Sequence, residues 1–323
     1  MMRIVVELTP ELARPAIALV EGGQFESMDR LVAQALEAFL GEGQREGTAS
    51  HHPCEGVAGM VAETGHVAPP LVGEDGAPWV WGMVNRVFPL KLVVRGVANL
   101  CGDGPISIQT AHARIANCAT SVGAILANDD KIADRKRNEK RAVALPAGPN
   151  VQKSKVRFAH HYVGRRASDG TVSGGGFEVG LLGVSSAGQG GIAPTDLGWA
   201  FASIPNPVLD DLGSSGIGPK NLSDEERRFY LLRLVPQVPA ENRAFRAVLN
   251  ALAASPKTTK ELASGVKPEV TAGSSQNVED TTRSGLLGRM ADVGAVVREP
   301  AGRSAVYRIS DLGATFLDQV ESR

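Results

Sequence analysis

One seven-residue pattern occurs twice and limits what the chain can fold into. At 195–201 it reads Thr195, Asp196, Leu197, Gly198, Trp199, Ala200, Phe201, and at 310–316 it reads Ser310, Asp311, Leu312, Gly313, Ala314, Thr315, Phe316. A hydroxyl residue followed by Asp marks a helix start, because its side-chain oxygen satisfies a backbone N–H that the first turn leaves orphaned. The Leu and the Phe four residues later then share one helix face. Each copy follows glycine-punctuated, strand-like sequence with an apolar residue ahead of it, Ile192 or Ile309. The implied unit is a strand, a capped turn and a short helix, closing each of two modules.

A chain of 323 residues predicts two or three domains rather than one core. Aromatic residues make up only 5%, so the cores are expected to be filled by Val, Leu and Ala. No apolar run approaches the roughly 20 residues that span a bilayer, and Met1 to Leu8 lack the apolar region of a signal peptide. Cys54, Cys101 and Cys118 are odd in number and far apart, which predicts no disulfide framework. The expected setting is cytoplasmic and nucleoid-associated, with no membrane contact.

At the N-terminus, Ile4, Val6 and Leu8 alternate with Arg3, Val5 and Glu7, the pattern of a strand. Thr9 and Pro10 are a helix start, with Leu12, Ala16, Leu19 and Val20 inward and a stop at Gly22 and Gly23. A second helix starts at Ser27 and buries Leu31, Val32, Ala35, Leu36 and Phe39 before Gly41. One strand and two helices cannot bury their own apolar surface, so a second copy of the chain is expected. This segment, 1–41, resembles the ribbon-helix-helix family of dimeric DNA-binding regulators and antitoxins. The resemblance implies strands paired across a dimer, with Arg3 and Val5 facing the major groove. Residues 1–45 hold four Lys/Arg against seven Asp/Glu, which places dimerisation ahead of base reading.

Residues 42–77 are rich in Gly and Pro and read as a flexible linker. His51, His52, Cys54 and His66 lack the paired short spacings of a zinc site. A helix is predicted over about 89–100, a short strand at Ile106–Ile108, and a second helix over about 109–128. The run from Lys131 to Arg141 predicts a basic helix capped by Asp134. From Trp79 to Arg166 there are fifteen Lys/Arg and five Asp/Glu, an excess that phosphate neutralisation explains most simply. Strands are predicted over 156–163 and 177–184, joined by a loop with Arg165 and Arg166 at its start. The glycine runs at 174–176 and 188–191 do not match a phosphate-cradling fingerprint. A connector over 213–240 carries a helix with a capping box at Ser223 and Glu226.

The last segment repeats the plan: a helix over about 242–253, a second from the capping box Thr258–Glu261, and a third over about 278–293. Two strands then flank a tip at Ala301–Ser304. Both modules, 78–212 and 241–323, resemble the winged-helix family. That resemblance implies that the third helix enters the major groove and that the hairpin lays cations along the backbone. It assigns base contacts to Asn277, Thr281, Thr282, Arg283 and Arg289, and wing contacts to Arg298 and Arg303. Phosphate contacts fall to Arg135, Lys136, Arg137, Lys140, Arg141, Lys153, Lys155, Arg165 and Arg166. The expected fold is mainly α with small β: a ribbon-helix-helix segment followed by tandem winged-helix domains.

No Ser nucleophile in an elbow, His-Glu-x-x-His or nuclease-like carboxylate cluster occurs, so no catalytic residue, metal or cofactor is expected. His160 and His161 beside Tyr162 are expected to be structural or DNA-facing. The function expected is that of a homodimeric, sequence-specific double-stranded DNA-binding protein, a transcriptional regulator. Alternatives are a partition, replication-origin or DNA-coating protein, and a protein or RNA interaction scaffold in a defence or toxin–antitoxin system. No small-molecule ligand is identifiable from the sequence.

Overall fold

The computed structural model describes residues 54–321 apart from 62–64, 72–75, 103, 137–138, 186–189, 213–217 and 302–303. Before position 54 it describes only Ala13, Ile17, Val20, Ser27, Met28 and Val32. The chain divides into a unit of residues 1–52 and a unit of residues 53–323. In the first, Ala13, Ile17 and Val20 are helical, Ser27 stands outside a helix, and Met28 and Val32 are helical again. Arg3, Val5 and the expected strand lie outside the described residues.

In the second unit the two expected modules begin with a long helix and close with a hairpin and a capped helix, and the first carries an added hairpin and helical turn in between. The first runs α1 (Val87–Leu100), a single bridging residue Ile106, α2 (Ile108–Ile132) and α3 (Val151–Phe158). A wide π-helical turn, Ala159–Val163, extends α3. After it come a two-residue hairpin, β1 (Arg165–Arg166) with β2 (Val172–Ser173), and a helical turn α4 (Gly175–Glu178). The hairpin β3 (Leu182–Val184) with β4 (Ile192–Pro194) and the closing α5 (Asp196–Ser203) complete it. A capped segment, α6 (Asp224–Phe229), continues through Tyr230–Leu234 and Val235–Gln237. The second module is α7 (Pro239–Ala254), β5 (Lys257–Thr258), α8 (Thr259–Gly265), α9 (Gln276–Asp292), β6 (Val296–Ala301), β7 (Ser304–Ile309) and α10 (Asp311–Glu321). In both, the strand after the first helix pairs with the returning arm of the hairpin: Ile106 with Ile192, and β5 with β7. The architecture is mainly helical with small antiparallel sheets.

The repeated pattern explains why both hairpins end alike. Thr195 Oγ1 accepts from Gly198 N at 3.0 Å and donates to the Gly180 carbonyl at 2.7 Å. Ser310 Oγ accepts from Gly313 N at 3.0 Å and donates to the Gly294 carbonyl at 2.5 Å. Gly180 and Gly294 both turn with positive φ, +69° and +73°, a conformation that costs a side chain but not glycine. The glycine of each copy is there for room. A Cβ on Gly198 would sit 2.0 Å from the Leu181 carbonyl oxygen, and one on Gly313 would sit 2.2 Å from that of Ala295.

Helix α1 is the axis of the first module, packed against α2 and α5 and buried almost end to end. Two of its buried positions are cations. Lys91 donates to the carbonyls of Phe201 and Ile204 and meets Glu226 at 3.0 Å. Arg95 donates to the Ala202 carbonyl at 2.9 Å and pairs with Asp210. Both satisfy the free carbonyls at the C-terminal end of α5, where a helix favours positive charge. Burial pulls the Lys91 ammonium down to about 8, against the pull of Glu226.

Several expectations fail in this region. Residues 54–71 are not a loose linker, since Cys54, Val57 and Ala68 are in the core. Cys54 and Cys118 form a disulfide across 64 residues, leaving Cys101 as a free thiol in the core. The cysteine argument for a reducing compartment falls with that pairing. Among the described residues of 133–141 none is helical: α2 runs on to Ile132, and Asp134 takes positive φ (+46°) in a turn instead of capping a helix. Residues 156–163 are helical, because Phe158, Ala159, Tyr162 and Val163 are buried at helical spacing. The expected 156–163/177–184 hairpin is replaced by two smaller ones, and Ser107 caps α2 where strand was expected.

Candidate nucleic-acid interface

Ten of the fifteen cations of 79–166 fall into two groups. Arg86, Lys91, Arg95, Arg135 and Arg141 have carboxylate partners. Arg135 and Arg141, expected on a DNA-facing helix, instead close the end of α2. Asp130, 4% exposed, accepts the backbone N–H groups of Arg141 and Ala142. Asp129 takes Arg135 at 2.7 Å and Arg141 at 2.9 Å. Partial burial raises the Asp129 carboxyl, but the two guanidinium bonds outweigh it and hold it below its ordinary range. Arg141 is 7% exposed and also bonds Asn221, so it has no face for a phosphate. Lys136 and Lys140 remain exposed, while Arg137 lies outside the described residues.

The second group lies on α3 and the β1–β2 hairpin. Lys153 and Arg157 are exposed and four residues apart, hence on one helix face. Lys155 reaches Asn117 on α2. Arg165 and Arg166 are exposed on β1, and Arg166 bonds the Gly190 carbonyl. Among the described residues none of these five has an ion pair, and no Asp or Glu occurs between Lys140 and Ser168. Sequence reasoning missed Arg157, because a strand assignment hides its helical partnership with Lys153.

A cleft of about 800 Å³ lies beside the hairpin, lined by Gln109, His112, His160, Arg165, Arg166 and Gly190 among others. His112 bonds the Gly164 carbonyl at 2.5 Å, and its ring lies 5.7 Å from that of His160. Burial lowers the His112 and His161 imidazoles from their ordinary range and so disfavours their charged forms. The His161 ring stands edge-on to Trp81 at 4.6 Å. His66, once a metal candidate, bonds Ser185 at 2.8 Å, Cys54 is in the disulfide, and no metal-holding cluster occurs among the described residues.

Helix α9, expected to read bases, is covered. Arg289 is fully buried, paired with Glu241 at 2.7 Å and donating to the Val84 carbonyl. Arg283, 4% exposed, bonds the Val266 carbonyl and Asp280. Thr282 is 2% exposed. The cover is the 82–88 segment. A Cβ on Gly82 would lie 2.1 Å from the Thr281 carbonyl oxygen, and Cβ atoms on Gly285 and Gly288 would meet the carbonyls of Gly82 and Asn85 at 2.3 and 2.4 Å. Asp292 then accepts the Val87 N–H at 2.9 Å. Backbone lies on backbone, so the assignments of Thr282, Arg283 and Arg289 to base contact are corrected. Asn277 and Arg298 remain exposed, Thr281 is half-buried, and Arg303 lies outside the described residues.

No family model, curated protein or solved structure matches the chain. Its function is therefore argued from its own residues. Among the described residues, no helix is long and apolar enough to cross a membrane.

Proposed function

We propose that the protein binds double-stranded DNA as a homodimeric regulator, with two winged-helix modules of unequal role. The supporting observation is the cationic group on α3 and its hairpin, Lys153, Lys155, Arg157, Arg165 and Arg166, which has no ion pair among the described residues and no Asp or Glu between Lys140 and Ser168. A solvated protein face ordinarily mixes signs, and an unmixed one recruits a polyanion by counterion release. In our reading α3 and the β1–β2 hairpin that follows it are the open cationic face of the first module. The second module uses its third helix for packing and supports the first. The N-terminal segment dimerises, and its family resemblance implies that Arg3 and Val5 face the groove.

The test is duplex binding by fluorescence anisotropy across a salt series, with the full chain. Lys153→Ala with Arg157→Ala, and Arg165→Ala with Arg166→Ala, are expected to weaken binding to all sequences. Each lost phosphate contact flattens the log–log salt slope by about 0.9. Unchanged affinity and slope in both pairs, or no salt-dependent duplex binding by the parent, would refute the reading.

A further inference from the structure

A second cavity, of about 390 Å³, is lined by Trp79, Trp81, Glu178, Val238, Val278 and Thr282, among others. That volume falls within the range of small-molecule sites. Its wall is held in place from both modules: Trp79 N donates to the Glu269 carbonyl at 2.8 Å, and Trp81 N donates to Glu178 Oε2 at 2.9 Å. One feature of that wall calls for a ligand. The Glu178 carboxylate has no ion pair among the described residues, although it lines the same cavity as two tryptophans.

We propose that this cavity binds a small organic cation: an ammonium head on an aromatic or apolar body. Indole faces attract a cation through their quadrupole, Glu178 supplies the opposite charge, and the flanking valines take the apolar body. Neutral or anionic ligands of the same shape lose the carboxylate and meet an unfavourable field. Burial already pushes the Glu178 carboxyl above its ordinary range, with Arg289 acting to lower it and Glu241 to raise it. A bound cation relieves that strain on the charged form. Val278 and Thr282 belong to α9, so the ligand sits where the second module's third helix meets the first module.

The chain has three tryptophans; Trp79 and Trp81 line the cavity, and Trp199 lies elsewhere, bonded to the His66 carbonyl. Intrinsic fluorescence therefore reads the site directly. Benzyltrimethylammonium is titrated into the full chain, with benzyl alcohol and phenylacetate as neutral and anionic probes. The expected result is a saturable change with the cation bound about tenfold tighter than the alcohol, the scale of a desolvated cation–π contact. Glu178→Gln keeps the acceptor for Trp81 N–H and is expected to abolish that preference. An unsaturable signal in the millimolar range, equal affinity for all three probes, or a preference that survives in Glu178→Gln would overturn the proposal. If that variant does not fold, the probe preference of the parent protein decides. DNA takes no part in the titration, so its outcome is independent of the DNA-binding reading.

Discussion

Substituting one glycine tests the covering of α9, because two opposite effects are at stake. Gly285 lies mid-helix, where alanine is intrinsically better by about 1 kcal/mol. If α9 faced solvent or awaited DNA, Gly285→Ala would stabilise the protein by that amount. In the structure, the new methyl would lie 2.3 Å from the Gly82 carbonyl oxygen and 2.6 Å from its Cα. Those are backbone atoms and cannot rotate away. Overpacking of this kind costs about 1–3 kcal/mol or more, and parting the two surfaces also loosens the Arg289 contact with Val84. The expected net change is a loss of about 2 kcal/mol, taking the upper part of that overpacking range less the helix gain. For a unit of this size 1 kcal/mol moves the melting midpoint by about 2–4 °C, so a fall of about 4–8 °C is expected. Gly265→Ala is the control: nothing lies within 4 Å of its Cβ position, and it should leave the midpoint level or raise it. Thermal melts by circular dichroism, with urea titration for the free energies, measure both. A rise for Gly285→Ala like that of the control would refute the packing.

Three further outcomes follow from the same packing. Glu241→Gln leaves Arg289, which is fully buried, without its counter-charge; a loss of about 3–5 kcal/mol is expected by urea denaturation, and a loss under 1 kcal/mol would mean that the pair is hydrated. Reducing the Cys54–Cys118 bridge frees a loop of 64 residues, so a reductant should lower stability by about 4 kcal/mol; identical melts with and without it would argue that the bridge does not form. Burial raises the phenols of Tyr162 and Tyr230 above their ordinary value of 10.0. The fold therefore keeps protons that the unfolded chain gives up, and stability is lost as pH rises beyond about 10. Of the three tyrosines, at most one should ionise at 295 nm before unfolding, and two ionising in the intact fold would contradict the burial.

What could be read from sequence was whatever a short local pattern enforces. The capping boxes at Ser223–Glu226 and Thr258–Glu261 form as reciprocal bonds, and both hydroxyl–Asp caps start helices, because cap, helix and acceptor lie within a few residues. The order α7 to α10 was legible for the same reason. What was not legible depends on residues far apart in the chain. Lys131 to Arg141 looked like a cationic helix because its counter-charges, Asp129 and Asp130, precede the run and are met only after the chain turns back. Residues 156–163 looked like a strand because a wide π-helical turn breaks the ordinary period just where His160 and His161 stand. The 54–71 segment looked like a linker because its buried residues follow no period, and burial was set by α1 and α2 rather than by any local pattern.

The covering of α9 was, by contrast, written into that helix. An interior glycine weakens a helix unless something needs the space, and α9 carries Gly285 and Gly288 three residues apart, on one face. That face also carries Thr282 and Arg289, so the side that polar residues nominated for DNA is the side that glycines had opened to a protein backbone. Helix α3 has no glycine and three cations in eight residues. Polar content alone ranks α9 and α3 as equals; the space each requires separates them. A helix that receives a neighbouring chain at carbonyl distance cannot do without glycines in its contact face.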